Sequence, residues 1–218
     1  MLPDKLYRRL DRARLPRQDL VLVLPTLRQA LARLRAAHAE YGAGGRVRVL
    51  HRACQDLVGV LDEGFGLPSK RVLLRDRPRP HKRSGGRIVY EVHGECDPDG
   101  PLEVYTRTAA RAQPVALKSL LDTLLHEWVH HFDFATFDES VHCDGFYERL
   151  AQVYRPLRDA LDAWNAAEQE AAAQAEREEP AGPGRKARPT PPAEAAPEEP
   201  AAPGEPPETG PVQRLLWD

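Results

Sequence analysis

Between Val115 and Asp133 the chain puts two different faces on one helix, and that pairing limits what can surround it. At about 100° per residue, Leu117, Leu120, Leu121, Leu124, Leu125 and Trp128 fall on one broad side. His126 and His130 fall on the other, flanked by Asp122, Thr123 and Asp133. The apolar side has to be buried against a core. The segment His126-Glu127-Trp128-Val129-His130 therefore turns two imidazoles, four residues apart and on one face, towards the space in front of that core. Two histidines so placed can share one metal ion, and His-Glu-x-x-His on a helix is the pattern of a zinc site whose glutamate acts on water. His131 lies about 100° round from His130, near the apolar side, and is expected to pack or hydrogen-bond.

A catalytic zinc ion (Zn2+) takes three protein ligands and keeps a position for water. The residues after the helix must therefore supply a third ligand. Ala135 to Val141 reads as a loop of small and acidic residues, and His142 then precedes a second helix. That helix carries Phe146, Leu150, Val153, Leu157, Leu161 and Trp164 as a buried stripe, with Asp144 placed to cap its start. Asp138, Glu139, Asp144 and Glu148 offer oxygen and Cys143 offers sulfur, but His142 fits the ligand chemistry best. The metzincin extension is absent, because Asp133 and Thr136 stand where it needs Gly and His.

Upstream, Leu2 to Leu15 is a short basic amphipathic segment, and Thr26 to Glu40 is a helix with Leu27, Leu31 and Leu34 on one side. Gly42, Gly44 and Gly45 break it. Val47 to Leu61 forms another helix that stops at Gly64-Phe65-Gly66-Leu67-Pro68. Strands are predicted at Arg71 to Leu74, Arg87 to His93 and Leu102 to Thr108. The turn signal Asp97-Pro98-Asp99-Gly100 predicts that the last two form an antiparallel hairpin. Leu102 to Thr108 is the expected edge strand for aligning an extended peptide.

The order of strand-like segments, a helix ending in His126-Glu127-Trp128-Val129-His130, a loop, His142, and Phe146 four residues later resembles the SprT-like metallopeptidases, whose eukaryotic members include the Spartan protease. The resemblance covers roughly Val47 to Tyr154, and its specific part runs from about Asp122 to Leu150. It implies His126, His130 and His142 as zinc ligands and Glu127 as catalytic base. Cys143 stands where that family often has Gly, with glycine displaced to Gly145. No Cys-x-x-Cys pairs follow, so the zinc ribbon of many bacterial members is not expected. The fold class expected is α+β: a zincin-like domain with a small antiparallel or mixed sheet packed on the active-site helix, N-terminal helices and a disordered tail. The organisation expected is an N-terminal helical segment (1–45), a SprT-like domain (46–165), an Ala/Glu/Pro-rich tail (166–211) and a short apolar motif (212–218).

The 218 residues carry a formal net charge of −2, which favours no class of partner. Three widely separated cysteines, Cys54, Cys96 and Cys143, indicate neither a disulfide framework nor a structural zinc finger, so a reducing, cytoplasmic setting is expected. The apolar run Leu20 to Leu24 is too short to cross a bilayer, so no membrane partner is expected. Lys70 to Arg87 is dense in Lys and Arg and reads as a flexible loop able to meet nucleic acid, or as a solvated basic loop. Val212, Leu215, Leu216 and Trp217 read as a docking peptide for a protein partner, as a clip onto the catalytic domain, or as an unstructured end. The function expected is a zinc-dependent metallopeptidase acting on protein or peptide substrates through a metal-activated water and the Glu127 base. Tyr147 or Tyr105 could assist the oxyanion, and Asp122 and Asp133 could orient the imidazoles. The alternatives are a metal-stabilised adaptor or nucleic-acid-binding module without turnover, and a zinc hydrolase of non-peptide amides.

Overall fold

The computed structural model describes residues 4–15 and 17–178. Its elements are α1 (Asp4–Arg12), α2 (Arg17–Gly42), α3 (Val47–Phe65), β1 (Val72–Pro78), β2 (His81–Ser84), β3 (Arg87–Glu91), β4 (Gly94–Cys96), β5 (Leu102–Arg107), α4 (Leu117–Phe137) and α5 (Asp144–Glu178). The fold is α+β, with a mixed three-stranded sheet in the order β1-β5-β4 and a separate β2-β3 hairpin. Residues Met1–Asn165 form one compact unit. Its core draws Leu31 and Leu34 from α2, Leu57 and Leu61 from α3, Val104 from β5, Leu121, Leu125 and Trp128 from α4, and Phe146 and Val153 from α5. No helix among the described residues is long and apolar enough to cross a membrane.

Several elements differ from their sequence reading. Leu102–Arg107 is not an edge: β5 is the central strand, parallel to β1 and antiparallel to β4. The expected hairpin of Arg87–His93 with Leu102–Thr108 does not form. Arg87–Glu91 pairs back with His81–Ser84, and the short strand Gly94–Cys96 pairs with β5 across the Asp97–Gly100 turn. Lys70 to Arg87 is accordingly not a flexible loop. It contains the whole of β1 and β2, and β2 turns into β3 through Gly85 and Gly86 at φ 56° and 77°, the two left-handed positions that a tight hairpin turn requires. Several of its cations are engaged inside the fold. Arg75 is paired with Glu103, Arg79 reaches Glu91, and the Lys70 ammonium is buried against the carbonyl oxygens of Asp97 and Pro98.

Helix bounds also move. α2 begins at Arg17 and runs through Pro25, where the sequence reading began at Thr26. α4 starts at Leu117, two residues later than expected, but continues four residues past Asp133 because Phe137 is itself buried, leaving Asp138 in the left-handed cap position. α5 extends to Glu178 where an unstructured tail was expected from Ala166, because its Ala, Glu and Gln residues are good helix formers. The described side chains of 166–178 are exposed. Val212, Leu215, Leu216 and Trp217 lie outside the described residues.

Strand β4 lies directly on α4. A Cβ at Gly94 would stand 2.7 Å from the Glu103 carbonyl oxygen and 2.9 Å from both the Glu127 Cγ and the Thr123 Cγ2. The Glu103 oxygen belongs to the neighbouring strand and cannot swing aside, so the strand must shift to admit a larger residue. Gly94→Ala is expected to destabilise the protein by about 1–3 kcal/mol in urea or thermal denaturation. Wild-type stability in that variant would mean that β4 can lift off the helix freely.

Candidate metal centre

Helix α4 is fastened by its back. Trp128 is fully buried, its ring 5.4 Å from Phe65 and 6.0 Å from Phe132, and its indole Nε1 donates to Asp62 Oδ1 at 2.9 Å. The other oxygen of Asp62 accepts the Lys70 backbone N–H at 2.8 Å, so one carboxylate ties α3, α4 and the approach to β1 together. Burial raises the Asp62 pKa, and these donors pull it back. His131 behaves as its helical position indicates: it is buried, and its Nε2 bonds the Pro68 carbonyl at 3.0 Å.

The front of the helix presents the two expected imidazoles, and the loop after it returns the third. His126 Nε2 and His130 Nε2 each lie 3.0 Å from His142 Nε2. One ligand atom from each of the three residues falls within 4.8 Å of the others, and among the described residues no other His, Cys, Asp or Glu completes such a group. The rival third ligands are elsewhere. Cys143 is buried in the core, Glu148 pairs with Arg14, and Asp138 occupies the helix cap. Phe146, fully buried in the first turns of α5, backs all three rings, with centroid distances of 5.0 Å to His126, 4.6 Å to His130 and 4.9 Å to His142.

The donor set fits a zinc ion. Tetrahedral zinc at about 2.0–2.1 Å from each nitrogen separates its nitrogens by roughly 3.3 Å, close to the spacings of 3.0 Å found. Protonation also favours binding. Burial, then the neighbouring imidazoles of His142 and His93, pushes His126 down to about 4. Burial, then His126 and His142, pushes His130 down to about 3, and burial lowers His142. Neutral imidazoles carry the lone pairs that a metal needs.

Glu127 is not part of the cluster of nitrogens. Its carboxyl is buried between α4 and β4, and burial, then the charge of Glu95, raises its pKa to about 8 in the metal-free chain. A nearby dication would lower that value. Of the two candidate phenols, Tyr147 is at the site, stacked on His142 with ring centroids 6.1 Å apart. Tyr105 is buried in β5, and its hydroxyl lies 3.5 Å from Arg77. Asp133 is fully buried and reaches His130 through the Ser140 hydroxyl, whereas Asp122 is exposed.

A cavity of about 560 Å³ is lined by Lys70, Arg71, Pro98, His131, Phe134 and Asp138 among others, and by none of the three clustered histidines. Phe134 lines that cavity and also stacks its ring on His130 at 6.4 Å. Gly94, Ser140 and Arg149 were not singled out by the sequence reading. Only Arg149 carried a signal, as a charge set among the apolar positions of a buried stripe.

Comparison of the chain with protein-family models, curated proteins and solved structures finds no match. The chemistry is therefore read from the side chains themselves.

The buried Glu127 carboxyl makes a prediction for the metal-free protein. Its folded pKa lies above the ordinary 4.5, so its contribution to stability is complete below that value and lost as pH rises towards about 8. Glutamine has no charge to bury. Metal-free Glu127→Gln should melt on the order of 5 °C above wild type at pH 8 and higher, with the gap closing towards pH 4.5. Parallel melting curves across that range would contradict the placement of Glu127 in a desolvated site.

Proposed function

We propose that this protein is a zinc-dependent endopeptidase of the SprT-like kind, with a zincin-like domain, His126, His130 and His142 as ligands and Glu127 as general base. The observation that carries the reading is the convergence of three imidazoles, two of them from the helix whose buried Glu127 lies against the outer strand β4 of the sheet. Zinc held there would supply Lewis-acid chemistry, acidifying a water and polarising a carbonyl.

The sheet has two edges, and they are not equivalent. The start of β1 is closed by α3: Gln55 accepts from the Val72 N–H at 2.8 Å and donates to the Lys70 carbonyl at 2.9 Å, and His51 bonds the Val72 carbonyl. The other edge is β4. Tyr105 N donates to the His93 carbonyl at 3.0 Å, and Gly94 and Cys96 stand opposite Val104 and Leu102. Antiparallel ladders alternate, so the backbone groups of Gly94 and Cys96 turn away from β5. An extended peptide paired on them would pass beside Glu127 and run towards the cavity at the Asp97–Gly100 turn.

In this reading Glu127 takes the proton of the attacking water and delivers it to the leaving amine. Tyr147, whose ring stacks on His142, is the phenol that would donate to the developing oxyanion in this reading. Phe146 keeps the three rings in register and excludes water from behind them.

The test is metal content and cleavage of casein or a denatured protein pool, with and without single-stranded DNA. Wild type should carry one zinc per chain and His142→Ala should lose it. Glu127→Gln should keep zinc while turnover falls on the order of a hundredfold or more. Equal cleavage by wild type and Glu127→Gln would remove Glu127 as base. Inertness of both, with tight binding of DNA or a protein, would favour a metal-stabilised adaptor.

A further inference from the structure

We propose that Ser140 is a positioning residue of the metal centre, clamped by the buried Asp133–Arg149 pair so that His130 presents a bare Nε2 lone pair to the ion. The inference rests on reading His126, His130 and His142 as a metal site. Its geometry is a chain of polar contacts running from His130 to the end of α1.

Ser140 Oγ lies 2.7 Å from His130 Nδ1 and 3.2 Å from Asp133 Oδ2. Asp133 Oδ2 also accepts from Arg149 Nη2 at 2.7 Å, and both side chains of that pair are fully buried. Arg149 Nη1 donates to the carbonyl oxygens of Leu10 at 2.7 Å and Ala13 at 3.1 Å, where α1 ends. Those carbonyls belong to a helix terminus and favour a cation. The guanidinium is thereby fixed from one side by α1 and from the other by the carboxylate. Its fixed position holds Asp133, and Asp133 holds the hydroxyl.

Proton counting gives the consequence. A guanidinium stays protonated, and its carboxylate partner accepts only. The single Ser140 hydroxyl proton is therefore directed to Asp133, which leaves Ser140 as acceptor towards His130. His130 must then carry its one proton on Nδ1, and Nε2 faces His142 and the ligand site unprotonated.

Stability alone is a poor account of the pair. Asp133 Oδ1 and Arg149 Nε are buried without a hydrogen bond. A buried ion pair with such gaps is often replaceable by apolar residues at no loss of stability.

The experiment compares full-length wild type, Ser140→Ala and Ser140→Thr by three readouts. These are the imidazole tautomer of His130 in the metal-free protein by nitrogen NMR, zinc affinity by chelator competition, and metal-free melting temperature. Ser140→Ala should lose the Nδ1–H preference and bind zinc about 10- to 100-fold more weakly with unchanged melting. Ser140→Thr, which keeps a hydroxyl, should restore both. Wild-type tautomer and affinity in Ser140→Ala would overturn the proposal, as would an affinity loss matched by loss of metal-free stability. A wild type that binds no zinc would instead sink the metal reading itself, whereas equal zinc binding by wild type and Ser140→Ala sinks only the role of Ser140.

Discussion

Holding α4 in place is the constraint on which the rest of the structure depends. A helix that must present two imidazoles at a fixed separation cannot roll or slide, and apolar packing alone resists sliding poorly because it has no direction. The Trp128 indole bonded to Asp62 adds direction at the centre of the apolar face. Asp62 in turn receives the Lys70 N–H at the entry to β1, so the same carboxylate sets where the sheet begins relative to the helix. β4 can then rest against Thr123 and Glu127 at the distance that a glycine at position 94 allows. The outer strand β4 and Glu127 are brought together by packing that starts on the far side of the helix.

The front of the helix is governed by desolvation. His126 and His130 are crowded against Phe146, and burial keeps them neutral well below neutral pH. Burial acts in the opposite direction on Glu127, favouring the protonated acid until a cation is near. Neutral imidazoles and an acid that resists ionisation are an arrangement that a divalent cation relieves. The charges behind the cluster are treated differently. Asp133 and Arg149 neutralise each other in a fully buried pair, so the ion site gains no net charge from that side.

The sequence disclosed those features that lie on one helix and little of what depends on pairing between segments. The two faces of α4 follow from periodicity alone, and His131 could be set apart from His130 by its angle on the same helix. His142 was within reach because the loop is short and its chemistry matches. Strand pairing was misread because it is set by partners far along the chain. β2 exposes all four of its residues, so it lacks the alternation that marks a strand, and its lysine and arginine read as a loop. β4, with three residues, is too short to leave a pattern. The Asp97–Gly100 turn was identified correctly, but the strand before it was taken to be the longer Arg87–His93. Arg149 is buried because its partners are Asp133 on the preceding helix and the carbonyls of Leu10 and Ala13 where α1 ends, and periodicity cannot report such a match.

The central claim is that three imidazoles and no other side chain hold the ion. X-ray absorption at the zinc edge of the full-length protein tests it most directly, because imidazole rings give a multiple-scattering pattern that sulfur and carboxylate ligands do not. The account predicts three histidine nitrogens at about 2.0–2.1 Å with one further light-atom ligand. A sulfur shell at about 2.3 Å, which would place Cys143 on the metal, or a site with fewer than three imidazoles, would contradict it.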